Sequence, residues 1–114
     1  MPEVDGAEKG KAFKSSLGKL DKLLEHRVRL AVSILLSRYD RLSFSRIKEL
    51  TGETDGNLGA NLRRLEDAGY ISARKEFVDR KPVTWYALTA GGRQALRAHL
   101  DALDGLLQGP RPTS

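Results

Sequence analysis

The stretch Thr54-Asp55-Gly56-Asn57-Leu58-Gly59-Ala60-Asn61-Leu62-Arg63-Arg64-Leu65-Glu66-Asp67-Ala68-Gly69-Tyr70 decides how the rest of the chain folds. Leu58, Leu62 and Leu65 recur at the spacing that stacks side chains on one helical face. Thr54 is placed to cap the N-terminus, and Gly69 stands just past the end, where a left-handed C-cap belongs. The apolar stripe must be buried. The opposite side carries Gly56, Asn57, Ala60, Arg63, Arg64 and Asp67, a set of small residues, an amide and two guanidiniums that suits a groove of DNA. Free backbone donors at the helix start favour anionic groups such as phosphate. Gly56 and Gly59 each cost about 0.8–1 kcal/mol relative to Ala in a helix interior. Either they are tolerated or a partner needs the backbone close, and this helix alone does not decide between the two.

Immediately upstream, Ser43 or Ser45 can cap a helix whose inner face is Phe44, Ile47 and Leu50, and Gly52 closes it. A helix ending at Thr51-Gly52, a tight Glu53-Thr54 link and a second helix make the layout of a helix-turn-helix, in which the second helix reads DNA. The same layout occurs in structural bundles, so it is only moderately specific. Downstream of Gly69 the period changes. Residues 70–78 and 83–88 hold the β-branched and aromatic residues of strands, with turn chemistry at Asp79-Arg80-Lys81-Pro82 between them. This predicts a hairpin whose basic residues are Arg74, Lys75, Arg80 and Lys81, diluted by Glu76 and Asp79. A helix-turn-helix followed by a basic-tipped hairpin is a winged helix. The expected fold is therefore α+β: a mostly helical winged helix-turn-helix with a two-stranded wing and a C-terminal dimerisation helix.

Further out, Val28, Ala31, Ile34 and Leu35 predict a core helix from about His26 to Ser37, and Tyr39-Asp40-Arg41 is its connector. Thr89 caps a last helix in which Leu96, Leu100, Leu103 and Leu107 alternate spacings of four and three, as in a coiled-coil seam. Near the start Phe13, Leu17, Leu20 and Leu24 form a similar narrow seam, interrupted by Gly18. Either seam fits packing on the domain or pairing with a second subunit; Phe13, Leu17, Leu20, Leu96, Leu100, Leu103 and Leu107 are the candidate dimerisation residues. Residues 1–12 and 108–114 lack periodicity and are expected to be flexible tails around a domain spanning 13–107.

The totals agree with one small domain: 114 residues, 39% hydrophobic, with no cysteine and a net charge of +5. Without cysteine there is no disulfide, thiolate metal site or cysteine nucleophile. The chain has no apolar run long enough for a bilayer and no N-terminal signal pattern, so a soluble, cytoplasmic protein without membrane association is expected. The charge is compatible with nucleic acid, but the 20 basic residues are spread among 15 acidic ones. His26 and His99 are the only imidazoles, and His99 with Asp101 and Asp104 offers too few nitrogen ligands for a closed metal site. No nucleophile elbow, phosphate loop or paired-ligand motif gathers catalytic groups, so neither catalysis nor a cofactor is expected. Trp85 and Tyr86 suit a small-molecule pocket at a dimer interface, but core and wing packing is the favoured reading of them. An effector thus has no support of its own.

Taken together, Leu23-Leu24-Glu25-His26-Arg27-Val28-Arg29-Leu30, Thr54-Asp55-Gly56-Asn57-Leu58, residues 62–71 and Thr84-Trp85-Tyr86-Ala87-Leu88-Thr89 resemble the small prokaryotic winged-helix transcriptional regulators of the MarR and ArsR types. The resemblance covers about Leu20 to Leu107. It implies a homodimer on a two-fold symmetric double-stranded DNA operator, with the helix from Thr54 in the major groove and the hairpin on phosphates or the minor groove. The groove-contact positions it implies are Thr54, Gly56, Asn57, Gly59, Ala60 and Asn61, with Arg63 or Arg64 nearer the backbone. Gly59 and Ala60 depart from the family pattern, since many relatives have Ser, Thr, Gln or Arg there. Ala60 can still touch a thymine methyl, and Asn57 or Asn61 can pair with adenine. Asp55 would repel phosphate unless it accepts a bond from cytosine or caps the helix, and local capping is the favoured role for it. This poor base-reading set implies modest discrimination, or discrimination through DNA shape. The alternative is a winged helix used as a protein–protein interaction module.

Overall fold

A computed structural model describes the backbone of residues 2–110 and the side chains from residue 10 onward. Five helices and three strands follow in the order α1 (Pro2–Gly18), α2 (Arg27–Arg38), β1 (Leu42–Ser43), α3 (Phe44–Thr51), α4 (Asp55–Asp67), β2 (Ile71–Val78), β3 (Lys81–Leu88) and α5 (Ala90–Gln108). The strands form one antiparallel sheet in the order β1-β3-β2. This is the α+β winged helix expected from the sequence, with the hairpin as its wing.

Local chemistry sets the boundaries. The Thr54 hydroxyl accepts from the Asn57 amide at 3.2 Å and starts α4. At the other end Gly69, at φ +78°, donates to Glu66 while Tyr70 donates to Leu65, both at 2.9 Å, which is a Schellman motif. Ser43 caps α3 through the Arg46 amide, and Gly52, at φ +71°, ends it by donating to Lys48. Thr89 caps α5. All of these caps except the choice between Ser43 and Ser45 are fixed by sequence position alone.

The core is one cluster in which Val28, Val32 and Leu36 of α2 meet Ile47, Leu58, Leu62, Leu65, Ile71 and Leu96. The buried stripe of α2 is thus 28-32-36, and Ala31, Ile34 and Leu35 of the expected face are only half-buried. Leu24 is fully buried, but in the turn between α1 and α2, because α1 stops at Gly18 and the expected seam does not run on as a helix. The helix instead extends back through residues 2–12, expected as a tail; Pro2 suits a first helical turn, and Ala, Glu and Lys among these residues sustain a helix without apolar periodicity. Residues 111–114 of the expected C-terminal tail, and Met1, lie outside the described residues. Two further expectations change. Leu50 on α3 is 41% exposed, leaving Ile47 as the buried anchor. Leu96 is 4% exposed within its own chain's core, so it does not belong to a dimer seam.

α1 packs on α5. The approach is close at Gly105, where an added Cβ would lie 2.3 Å from the Ser16 hydroxyl. A second close contact is at Gly92, where a Cβ would lie 2.0 Å from the Tyr70 carbonyl oxygen, so the start of α5 can cross the wing base only at glycine. No helix among the described residues is long and apolar enough to cross a membrane.

Candidate nucleic-acid interface

α4 turns its buried face of Leu58, Asn61, Leu62 and Leu65 to the core. Thr54, Gly56, Asn57, Ala60, Arg63 and Arg64 stay exposed, and Gly59 sits at the edge. Asn61 is the correction within this set. It is 5% exposed, accepts from the Arg29 guanidinium of α2 at 2.8 Å, and donates to the Asn57 carbonyl at 2.9 Å. An amide spent on holding α4 against α2 is not free to read a base. Its position is the i+3 member of the Leu58-Leu62-Leu65 set, so spacing puts it on the inner face and only its polarity suggests exposure.

Arg29 is therefore a positioning residue that sequence reasoning missed. Its Nε donates to the Leu23 carbonyl at 2.6 Å, so one guanidinium ties the α1–α2 turn to α4. Burial, and then the nearby Arg64 charge, pull its pKa below the ordinary arginine value. The turn is anchored again at Asp21. Its amide donates to buried His99 Nδ1 of α5 at 2.9 Å, and its carboxylate accepts from the Tyr70 hydroxyl at 2.5 Å. That hydrogen bond, then burial and the carboxylate charge, push the Tyr70 pKa up to about 12. His99 is thereby a structural acceptor at the junction of three elements. No group of three or more metal-ligating side chains occurs among the described residues.

At the entry to α4, Asp55 does not serve as the cap expected of it. Thr54 does, and Asp55 pairs with Lys48 of α3 at 2.8 Å, which offsets its charge on the exposed surface. Asn57 donates to Glu53 at 2.6 Å, so its donor is engaged in the free protein.

The wing divides the four basic candidates by face. β2 and β3 pair from Ile71↔Leu88 to Val78↔Lys81, so the connection is the two-residue turn Asp79-Arg80, tighter than the sequence indicated because Lys81 and Pro82 belong to β3. Both turn residues have positive φ, 51° and 67°, the requirement of a type I′ turn. Alternation then places Ala73, Lys75 and Phe77 on one face, opposite Tyr86, Thr84 and Pro82. Arg74 and Glu76 fall on the other, with Trp85. Lys75 and Tyr86 look toward α4 across an open groove of about 560 Å³, lined also by Gly59, Arg63, Glu66 and Asp67. Arg74 looks away and lies 3.9 Å from Glu76. Glu76 also pairs with Arg41 at 3.1 Å, and the Arg41 guanidinium stacks 4.1 Å above the Trp85 ring. Trp85 and Tyr86 thus occupy opposite sheet faces as packing groups, with the Trp85 indole nitrogen buried and unpartnered. Arg80 and Lys81 are exposed at the tip.

The dimerisation candidates also separate. Leu17, Leu100 and Leu107 are exposed, at 53%, 41% and 85%, whereas Phe13 of α1, Leu20 in the turn after it and Leu103 of α5 are half-buried.

A helix-turn-helix carrying a basic hairpin that faces its second helix defines the winged-helix class. The comparison with known proteins agrees: residues 28–107 match the family described as winged helix DNA-binding domain, and the chain belongs to that family. An uncharacterized protein of Methanocaldococcus jannaschii is 29% identical over 79 residues, covering 69% of this chain and 86% of that one. Among solved structures, a transcriptional regulator homologue from Pyrococcus horikoshii is similar at 28% identity and a TM-score of 0.75, over 85% of this chain and 94% of its own. A MarR family transcriptional regulator from Streptomyces coelicolor, solved in complex with DNA, shares the fold at 21% identity and a TM-score of 0.57, over 96% of this chain and 76% of its own.

Proposed function

We propose that this protein is a homodimeric, sequence-specific transcriptional regulator that binds double-stranded DNA with α4 in the major groove and the wing on the adjacent backbone and minor groove. The observation that carries the proposal is the groove between α4 and the wing. Arg63 on one wall and Lys75 on the other stand where a phosphate strand running between major and minor groove would lie. Gly59 lines the same groove, and a Cβ there meets nothing within 4 Å in the free protein. Glu66 and Asp67 lie toward the wing base, which confines an anion to the end nearer the tip.

In this arrangement Thr54, Gly56, Asn57 and Ala60 face bases, Arg63 and Arg64 face phosphate, and Lys75 with Arg80 brings the charge of the wing, joined by Lys81, which starts on the far face but stands at the tip. Arg74 contributes only long-range attraction, because it lies on the far face beside Glu76. Direct readout is sparse: Ala60 against a thymine methyl and Asn57 against adenine, the latter after exchanging its Glu53 partner for the base. Discrimination therefore draws on DNA shape as well. The exposed leucines of α1 and α5, Leu17, Leu100 and Leu107, supply the surface for a second copy.

Selection of bound duplexes from a random pool tests this. The proposal expects an inverted repeat whose half-sites lie about one helical turn apart, the spacing a two-fold dimer imposes. Enrichment of a single asymmetric half-site would contradict the dimer, and no enrichment would contradict sequence-specific binding.

A further inference from the structure

The wing tip carries a feature that electrostatic contact with phosphate leaves unused. Phe77 is 78% exposed, the largest fraction among the exposed aromatic side chains, and Pro82 stands opposite it in the strand register. Both lie on the face that Lys75 and Tyr86 turn toward α4, which is the side proposed to meet DNA. Lys75 stands two residues away on the same face and Arg80 is exposed in the turn next to the pair, while Lys81, opposite Val78, and the acidic Asp79 complete the tip. The turn beyond them holds Asp79 and Arg80 at positive φ, a conformation in which non-glycine residues are strained by about 1–2 kcal/mol each. An arginine is kept at the place where glycine would relieve the turn.

We infer that Phe77, backed by Pro82, is an apolar wedge that enters the DNA minor groove beside the α4 half-site and partly unstacks a base step there. This rests on the DNA-binding reading given above. Charge complementarity names the occupant: Lys75 on the same face and Arg80 in the turn attract the narrow, electronegative minor groove, while the ring itself has no phosphate to pair with. A tight type I′ turn keeps the tip slim, and the paired strands hold the ring at a fixed height above the groove that Arg63 and Lys75 line. Insertion is easiest at flexible pyrimidine–purine steps, so TA or CA steps under each wing become part of the recognised sequence although no polar group reads them.

The test uses the full chain and the duplex recovered by selection, with 2-aminopurine placed at the step under the wing. Wild-type binding should raise the 2-aminopurine fluorescence as the base unstacks. Phe77→Ala should abolish that rise and weaken binding about tenfold or more, the loss expected for withdrawing a buried aromatic ring. Its salt dependence should match wild type, because no charge is removed. Phe77→Leu, which keeps an apolar wedge, should retain most of both signals. Thermal unfolding of Phe77→Ala should match wild type, since the ring is exposed in the free protein. Unchanged affinity and fluorescence in Phe77→Ala would overturn the wedge while leaving DNA binding intact. If wild type bound no duplex from the selection, the functional reading would fail first, and the wedge with it.

Discussion

Tyr70 shows how single residues tie the reading head to the rest of the protein. Its hydroxyl holds the Asp21 carboxylate, its carbonyl accepts from Thr89, and its amide closes α4. A phenol whose pKa is raised to about 12 favours the folded state in its protonated form. That contribution is complete below the ordinary value of 10.0 and is lost as pH rises toward 12. Urea unfolding of wild type should therefore lose stability between pH 10 and 12, and Tyr70→Phe should lose less over that window while being about 1–2 kcal/mol weaker at pH 8. Parallel curves for the two proteins would remove Tyr70 from this role. Arg29 works by the same logic across α2 and α4. Arg29→Ala leaves the Asn61 carbonyl buried without its donor, and the expected loss is about 1–3 kcal/mol by the same measurement. None of these pairings is legible in the sequence. Arg29 and Asn61 lie 32 residues apart and Asp21 and Tyr70 lie 49 apart, and helical spacing says nothing about which element will stand opposite.

At the scale of elements, α4 was the most legible part of the chain. Its stripe, its Thr54 cap and its Gly69 stop are local, so the sequence alone places them. Its two interior glycines separate stability from binding. A Cβ at Gly56 or Gly59 meets nothing within 4 Å, so Gly56→Ala and Gly59→Ala should each stabilise the free protein by about 0.8–1 kcal/mol in urea unfolding. If DNA approaches the backbone there, both variants should lose affinity for the selected duplex while gaining stability. Gains in stability with unchanged affinity would mean that the glycines are merely tolerated. The elements that escaped the sequence did so for identifiable reasons. β1 has two residues, Leu42–Ser43, too few to show any alternation. The N-terminal part of α1 has no apolar stripe to reveal it. In α5 the leucine seam was real as a pattern, but the buried register is Gly92, Leu96, His99 and Ala102, chosen by the glycine contact with Tyr70 and the His99 bond to Asp21.

As a whole, the molecule joins a folded head, a wing and a pair of terminal helices with exposed leucines. Leu107 is 85% exposed and Leu100 41%, so Leu100→Glu with Leu107→Glu removes little from the single chain's core. Sedimentation of that double variant should show monomer with an unchanged fold by circular dichroism, and its DNA affinity should fall as the second half-site is lost. A dimer that survived it would move the interface to α1, around Leu17. The central claim is that this surface recognises particular DNA sequences. Fluorescence anisotropy of the full chain, comparing the duplex upstream of its own gene with a scrambled duplex across a salt series, tests it most directly. Specific sites are typically about 10³–10⁷-fold tighter than non-specific ones, and the sparse base-reading set here places the expected preference below that range, at about a hundredfold or somewhat more, with a steep salt slope. Equal affinity for the two duplexes at every salt concentration, or no binding even at low salt, would contradict it.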